Sequence, residues 1–455
     1  MALDLRYLEV PLPEDLQKMK GHGDFALLQR VIDRRLKTDL PHALKKRLEL
    51  EREILKRIPE NYPYSWDEAK SILQKNLSGF REEELELFWE DNVMEWIYLD
   101  GKVRFHRFFL DNLFKTRPSL AGRNLFPESE EVRNQNFELL DSVIRKLKQD
   151  GTLRYRFRIR SSLRIAEEAL RPGEPVQVHL PIPVEYAQLK QFRLLSASPD
   201  PAAIAPETYP QRTVCFQTTA GKDREFSVEY EFETHMTYRE LEPEKVFGAQ
   251  PTFYTEEQPP HIHFTPYLRS LASEIVGNET NPLRKARKIY DFITSHVMYS
   301  FVRSYSTIDD LTTYAASGLK GDCGIQALLF ITLCRIVKVP ARWQSGLYAT
   351  PYHVGNHDWA QFYVAPYGWL FADCSFGGSA FRTGASERCD FYFGHLDPFR
   401  IPAASEFQHE FLIPTGHLRN DPYDNQDGEV AYPDRDLYGK QFVTTHKALE
   451  IKEIP

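Results

Sequence analysis

The sequence predicts a mixed α+β protein in which an α+β core follows a helical region and a β-rich region. Three observations predict this order: apolar residues first recur at helical spacing, then alternate with a period of two, and finally a long apolar run precedes three strand-like segments. Helices followed by a run of strands are typical of a domain with an antiparallel sheet. We expect a helical region at 1–125, a β-sandwich-like domain at 126–250, a core at 251–400 and an extension packing on it at 401–455.

Composition and charge exclude several classes of protein. Hydrophobic residues make up 42% of the 455 residues, which allows sizeable cores, and the net charge of −8 argues against a general nucleic-acid binder. No signal peptide is recognisable, and no run approaches the roughly 18 apolar residues that span a bilayer. Five scattered cysteines fit reduced thiols better than a disulfide framework. We expect a cytoplasmic protein that binds neither membranes nor a cofactor; the sequence leaves the oligomeric state open.

The helical region carries two local signals. Ser65 stands three residues before Glu68, which is the spacing of a capping box at the start of a helix. Asp100 and Gly101 separate two short apolar segments, and this dipeptide predicts the turn of a hairpin. The many charged residues here predict solvated helix faces, and we expect no catalytic residue in this region.

The β-rich region alternates apolar and polar residues. In TLRYRFRIR, which begins at Thr152, four arginines alternate with apolar residues, as in an antiparallel strand that buries one face. PVQVHLPIP and EFSVEYEFET repeat the alternation, and Pro- and Ser-rich turns separate the segments. We interpret the arginine row as a solvated face or edge of a sheet rather than an anion site.

The candidate reactive group is Cys323, which lies between Gly321 and Gly324 ahead of an apolar run. Residues 324–337 have almost no polar face, so they predict a helix that is buried on nearly all sides. A helix N-terminus favours the thiolate, because the helix dipole and the unpaired N–H groups stabilise negative charge. The backbone N–H of Cys323 can also face the oxyanion of a substrate. Cys334, inside the apolar run, is interpreted as a structural cysteine.

A base and an orienting carboxylate follow downstream. A nucleophilic cysteine needs a base, and the base needs a partner that holds it. His357 lies in the strand-like segment HDWAQFYV and Asp373 near the end of GWLFADCSF, with a turn centred near residue 365 between them. On adjacent antiparallel strands this spacing makes the two residues neighbours. The sequence therefore predicts a catalytic triad of Cys323, His357 and Asp373.

Two other readings of these residues are less favoured. A metal site at His353 and His357 requires both histidines to share a face, which this spacing gives only on a helix. The segment PYHVGNHDW, with its Pro and Gly, instead predicts a loop that enters a strand. Cys374 is an alternative nucleophile, but successive side chains of a strand alternate, so it should point away from the face of Asp373. We therefore predict a thiol site and no metal site.

The quoted residues resemble the core of the transglutaminase-like superfamily. The matching elements are GDCG at the start of the apolar helix, VPAR at its end, HDW, and YGW followed by Asp373. The resemblance implies a papain-like core, in which the helix that begins at the cysteine packs on an antiparallel sheet. It also implies that Cys323 is the nucleophile, His357 the base and Asp373 the orienting carboxylate.

The resemblance extends to residues around the triad. Trp359 and Trp369 fall on tryptophan positions of the family, where we expect contact with substrate. Gln361 stands where members often carry Glu, and Cys374 stands where Pro or Ala is more usual; neither departure removes a triad residue. The flanking regions resemble bacterial members that have a helical N-terminal region and a β-domain before the core.

The expected function is a cysteine-dependent enzyme that acts on amide bonds through an acyl-thioester. Hydrolysis of a peptide or amide is the first expectation, because it is implied by the bacterial architecture. An amine acceptor would instead make the protein a protein-glutamine acyltransferase, and a non-catalytic binding scaffold of the same fold is the third alternative. The expected partner is a peptide or protein substrate.

Overall fold

The structure is a computed structural model that describes residues 4–127, 129–186, 188–221 and 225–455. It has the mixed helix and sheet character that the sequence predicts. Among the described residues, no helix is both long enough and apolar enough to cross a membrane.

The N-terminal region is helical because its apolar residues form one stripe on each helix. The helices are α1 (Glu14–Gly21), α2 (Phe25–Arg35), α3 (His42–Asn61), α4 (Trp66–Asn76), α5 (Glu82–Glu90) and α6 (Phe109–Thr116). The short strands β1 (Tyr64–Ser65), β2 (Trp96–Leu99) and β3 (Lys102–Phe105) form an antiparallel sheet in the order β1-β3-β2. The predicted capping box at Ser65 and Glu68 is present, and Asp100 and Gly101 form the hairpin turn at positive φ.

The middle region begins with a helix that the sequence interpretation did not anticipate. The expected β-domain at 126–250 instead opens with α7 (Glu130–Asp150), whose apolar stripe packs on the following strand. The strands are β4 (Thr152–Ile165), β5 (Pro175–Pro181), β6 (Leu189–Ser198), β7 (Ala203–Ile204), β8 (Thr213–Thr219) and β9 (Glu225–Thr237). Helical periodicity in 130–150 was the signal for α7, and it ends at Gly151 with a positive φ of 75°.

The arginine row of β4 lies on the solvent-exposed face of the sheet, and three of its arginines pair with glutamates of the neighbouring strand β9. Arg154 and Arg156 both contact the carboxylate of Glu233 on β9, at 3.1 and 2.9 Å. Arg158 pairs with Glu229, which also lies on β9. Cross-strand pairs of opposite charge stabilise a sheet, so this row has a structural explanation.

The core consists of helices around one five-stranded sheet. Its elements are α8 (Pro266–Val276), α9 (Pro282–His296), β10 (Met298–Tyr299), α10 (Leu311–Gly318), β11 (Lys320–Gly321), α11 (Cys323–Ile336), β12 (Ala341–Ala349), β13 (Val354–Val364), β14 (Gly368–Ala372), α12 (Cys374–Arg382), α13 (Ser386–Phe391), β15 (Phe393–Gly394) and β16 (Arg400–Ala404). The sheet is antiparallel in the order β15-β14-β13-β12-β16. Helix α11 packs on β12 and β13, and it is buried along nearly its whole length, as the sequence predicts.

The C-terminal residues are shared between the core and the middle region. They form β17 (Glu429–Tyr432), β18 (Arg435–Asp436) and β19 (Phe442–Ile454). Strands β17 and β18 complete the sheet β18-β17-β5-β8-β7, and β19 joins the sheet β19-β4-β9-β6. The extension expected at 401–455 therefore does not pack only on the core: most of its strand residues hydrogen-bond to strands of the middle region. Long-range strand pairing of this kind leaves no local signal in a sequence.

Candidate active site

Cys323 is the first residue of α11, and only Asp322 separates the helix from β11. Asp322 caps the helix by accepting a hydrogen bond from the backbone N–H of Ile325 at 3.1 Å. Gly324 is required for close packing, because a Cβ at this position would crowd the Tyr305 hydroxyl and lie 2.9 Å from Asp358 Oδ2. The half-buried thiol therefore stands at a helix N-terminus, as the sequence predicts.

The thiol lines a cavity of about 260 Å³ between the core, the N-terminal region and the C-terminal segment. Its wall is rich in aromatic and acidic residues, and it also contains Arg107 and Arg303. The aromatic residues are Tyr299, Phe301, Tyr305 and Tyr423, and the acidic residues are Asp322, Asp358, Asp421, Asp424 and Asp427. We call this cavity the cleft, and we call residues 420–427, which supply much of the acidic wall, the cleft segment.

The sulfur contacts a carboxylate. Cys323 Sγ donates to Asp358 Oδ2 at 3.3 Å, and Gln426 of the cleft segment donates to Asp358 Oδ1 at 2.5 Å. Burial, followed by the charge of Asp358, raises the pKa of the Cys323 thiol well above its ordinary value. Burial, followed by the charge of Asp322, likewise raises the pKa of the Asp358 carboxyl well above its ordinary value. The resting group is therefore a neutral thiol that donates to a carboxyl group.

His357 and Asp373 are brought together, as predicted. His357 Nε2 lies 2.7 Å from Asp373 Oδ2, and Arg400 Nη2 contacts the same oxygen at 3.1 Å. Burial lowers the pKa of His357, against the opposing charge of Asp373. Burial alone would raise the pKa of Asp373, but the charges of His357 and Arg400 outweigh it and lower the pKa to about 2. These three side chains and Asp397, which pairs with Arg400 at 3.2 Å, form what we call the ion cluster.

Asp373 reaches His357 from outside the strand pairing. Strand β14 ends at Ala372, which pairs with Ala360. If this register continued by one residue, the partner of Asp373 would lie two residues away from His357, the partner that the sequence predicted. Asp373 instead caps α12, accepting from the backbone N–H of Phe376 at 3.0 Å. The contact predicted from the turn is present, but it is made by a helix cap rather than by a cross-strand pair.

The thiol and the ion cluster lie on opposite faces of β13. Phe362 packs on Phe330 of α11 with ring centroids 5.7 Å apart, so the even-numbered residues of β13 face that helix. Asp358 belongs to this face and His357 to the other, because successive side chains of a strand alternate. The described side chains of Cys323 and His357 share no hydrogen bond; each is bonded to a carboxylate instead. The structure thus joins two members of the predicted triad and bonds the third to Asp358.

The two tryptophans lie away from the cleft. Trp359 is fully buried on the face of His357, and its Nε1 donates to Gln344 Oε1 at 2.7 Å. Trp369 stacks under Arg342, whose guanidinium carbon lies 3.7 Å from the ring centroid. Neither side chain is part of the cleft wall, so their contact with substrate remains a prediction from sequence alone.

Asp358 is the main site residue that sequence reasoning missed. It lies in the HDW motif between His357 and Trp359, and the family resemblance assigns roles only to those two residues. One signal was available: an acidic residue in the middle of an apolar strand, on the face next to a buried helix, needs a partner. The acidic residues of the cleft segment were not assigned a role either, because the sequence predicted only that the C-terminal extension packs on the core.

Comparison with known proteins bears on the core. Residues 269–374 match the family model described as the transglutaminase-like superfamily. No curated protein matches the chain. A candidate cysteine protease from Cytophaga hutchinsonii is similar in structure, with 14% identity and a TM-score of 0.44, covering 67% of this chain and 91% of that one. The periplasmic domain of TgpA from Pseudomonas aeruginosa has 15% identity and a TM-score of 0.29, covering 55% of this chain and 94% of its own.

The matched segment contains the main parts of the site. It begins in α8 and ends at Cys374, so it includes Cys323, Asp358 and the His357–Asp373 pair. With TM-scores below 0.5, the two structural likenesses are loose, and the assignment rests on the family match. Residues 269–374 of the chain are therefore a domain of the transglutaminase-like superfamily.

Proposed function

We propose that the protein is a cysteine-dependent enzyme that cleaves amide bonds through an acyl-thioester at Cys323. The observation that carries this proposal is the position of the thiol: it is the first residue of a buried helix and opens into the cleft. Its location within a transglutaminase-like domain adds support, because that superfamily includes cysteine-based enzymes.

In the proposed reaction, Cys323 Sγ attacks the carbonyl carbon of the amide and forms a C–S bond. The C–N bond then breaks, and the amine leaves with a proton that came from the thiol. The backbone N–H of Cys323, at the helix N-terminus, is the proposed donor to the oxyanion. Water completes hydrolysis by attacking the thioester, which releases the acid and restores the thiol. The proposed substrate is a peptide or protein, as expected for a protease-like fold.

Two observations favour other outcomes for the same site. The five acidic residues of the cleft outnumber its two arginines, Arg107 and Arg303, and an excess of acids suits an amine or another cation. This favours the acyltransferase alternative, in which an amine rather than water attacks the thioester. The missing bond between Cys323 and His357 favours the scaffold alternative, because a papain-like site uses a histidine as its base.

The test uses the full chain with 4-nitrophenyl acetate, which can acylate a thiol without a known substrate. We expect a burst of 4-nitrophenol and an acetyl group on Cys323 by peptide mass spectrometry. Cys323→Ser should abolish both, whereas Cys389→Ser, a matched thiol outside the cleft, should abolish neither. Release of the acetyl group in water indicates a hydrolase, and acceleration by added glycinamide indicates an acyltransferase. A folded protein without an acyl group on Cys323 would contradict the proposal and favour the alternative of a non-catalytic binding scaffold.

A further inference from the structure

A tyrosine of the cleft wall stands beside the start of α11. Tyr299 belongs to β10, which runs parallel to β11 and places Tyr299 opposite Gly321, two residues before Cys323. The backbone N–H of Ser300 continues this pairing by donating to Gly321 O at 3.1 Å. The two short strands therefore fix Tyr299 next to the turn that leads to the thiol, and both side chains line the cleft.

The ring of Tyr299 is held by two neighbours. The ammonium group of Lys115, on α6, lies 5.2 Å from the centroid of the ring, and the ring of Phe301 meets it edge-on at 5.6 Å. A cation over an aromatic face and an edge-to-face pair of rings are both attractive. These contacts position the side chain without using its hydroxyl group.

The hydroxyl of Tyr299 differs from the other two tyrosine hydroxyls of the cleft wall. The Tyr305 hydroxyl donates to Asp322 Oδ1 at 2.5 Å, and the Tyr423 hydroxyl pairs with a buried histidine ring at 2.8 Å. Within the described part of the chain, the Tyr299 hydroxyl has no hydrogen-bond partner other than Cys323. It is therefore the tyrosine hydroxyl of the cleft that can turn to a group bound at the sulfur.

The hydroxyl of Tyr299 also keeps its proton. Burial, followed by the charge of Cys323, raises the pKa of Tyr299 well above its ordinary value. When the sulfur adds to a carbonyl carbon, the carbonyl oxygen gains a negative charge, and only that carbon separates it from the sulfur. Protonated donors placed around this oxygen stabilise the charge that develops in the transition state.

We propose that Tyr299 is a catalytic residue whose hydroxyl donates a hydrogen bond to the oxyanion formed at Cys323; this inference rests on the proposed function. The backbone N–H of Cys323 is the second donor. As the C–S bond forms, the π electron pair of the carbonyl group moves to its oxygen, and it returns as the C–N bond breaks and the amine leaves. The Tyr299 proton stays on the phenol oxygen throughout. The same hydrogen bond serves the second oxyanion, which forms when water attacks the thioester.

The experiment compares two reagents on the full chain at pH 7. 4-Nitrophenyl acetate acylates a thiol through an oxyanion, whereas iodoacetamide alkylates it by direct displacement at a saturated carbon and forms none. We expect Tyr299→Phe to slow acylation of Cys323 by about 100-fold or more, the usual cost of losing an oxyanion donor. Alkylation of Cys323 should stay near the wild-type rate. The decisive quantity is therefore the ratio of the acylation rate to the alkylation rate.

Tyr305→Phe is the matched control, because it removes a hydroxyl from the same cleft that already donates to Asp322. Any effect of this variant on the thiol should change both rates equally and leave their ratio as in the wild type. A second pair of variants applies if Tyr299→Phe does not fold. Tyr299→Gln keeps an N–H donor and Tyr299→Met, of similar size, has none, so the ratio should be higher for Tyr299→Gln.

The opposite results overturn the inference. A wild-type ratio in Tyr299→Phe, whether both rates are unchanged or both fall together, would mean that the hydroxyl does not act on the oxyanion. A ratio in Tyr299→Gln no higher than that in Tyr299→Met would mean the same. These outcomes refute only the role of Tyr299. If the wild-type thiol is alkylated but never acylated at Cys323, it is the proposed function that fails.

Discussion

His357 and Asp358 are neighbours on β13, yet their surroundings differ in almost every physical respect. His357 lies in the ion cluster, where Arg400 pairs with the carboxylates of both Asp373 and Asp397 in a closed, fully buried space. Asp358 faces the cleft, where acidic residues and a thiol line a cavity of about 260 Å³. Removing one partner of a buried ion pair is strongly destabilising, whereas buried acids that lie close together shift one another's proton affinities. One strand thus carries a structural network on one face and the reactive candidate on the other.

The largest effect should come from breaking the ion cluster. Arg400→Met leaves Asp373 and Asp397 buried without their cation, so we expect a loss of about 3–5 kcal/mol in the free energy of unfolding. Urea unfolding at pH 7 measures it. Arg284→Met is the matched control, because it breaks an exposed pair with Glu244 that should contribute at most about 1 kcal/mol. Equal losses in the two variants would contradict a structural role for the cluster.

The second largest effect is a pH dependence of stability that should arise on the His357 face of β13. The pKa of Asp373 is about 2 in the folded protein, below its ordinary value of 3.8. A lowered carboxyl pKa contributes stability that is complete above the unfolded value and is lost as pH falls through the folded one. We expect a contribution of about 2 kcal/mol at pH 5 that disappears between about pH 4 and pH 2. The measurement is the difference in unfolding free energy between the wild type and Asp373→Asn across this range. A difference that stays constant would count against the ion cluster as its cause.

A smaller change should act on the cleft face alone. Gly324→Ala places a methyl group against Asp358 Oδ2 and the Tyr305 hydroxyl, so the cleft must open slightly. We expect a loss of about 1–3 kcal/mol in stability and faster alkylation of Cys323 by iodoacetamide, because the methyl group displaces the carboxyl group whose charge adds to burial in raising the pKa of the thiol. Gly122→Ala is the control, because a Cβ there meets no atom within 4 Å. Alkylation at the wild-type rate would mean that the close approach of sulfur and carboxyl group does not affect reactivity.

The smallest effect concerns the hydrogen bond that Gln426 donates to Asp358. This donor favours the carboxylate, so Gln426→Met should raise the pKa of Asp358. At about 0.5–1.5 kcal/mol for the bond, this pKa should move up by about half a unit to one unit. The rate of Cys323 alkylation by iodoacetamide as a function of pH measures the shift, because burial and then the charge of Asp358 raise the pKa of the thiol. A shift toward lower pH would show that another group controls the rate.

Much of the local structure could be predicted from the sequence, because it depends on neighbours in the chain. The capping box at Ser65, the strand that begins at Thr152 and the helix that begins at Cys323 all follow from short-range patterns. The contact between His357 and Asp373 was also predictable, since a single turn brings the two residues together. These features need no knowledge of the tertiary fold.

Other features depend on how distant elements meet. Alternation places His357 and Asp358 on opposite faces, but only the packing of Phe362 on α11 shows which face meets the thiol. Helix α7 was missed because the β pattern that follows it was extended too far toward the N-terminus. The partners of β17 and β19 lie far away in the chain, so no pattern within the C-terminal residues could identify them.

The placement of the last strands has a consequence for synthesis of the protein. The cleft segment lies between β16 and β17, and the buried pair of Arg419 and Glu429 joins its two ends at 2.7 Å. Its C-terminal end is held at Gly428, whose N–H donates to Thr444 Oγ1 on β19. Strand β19 in turn pairs with β4, which lies in the first half of the chain. A nascent chain can form α11 and expose Cys323 long before these strands leave the ribosome. The part of the acidic wall that the cleft segment supplies is thus added after α11, and the thiol acquires these surroundings only once β17 and β19 have been translated.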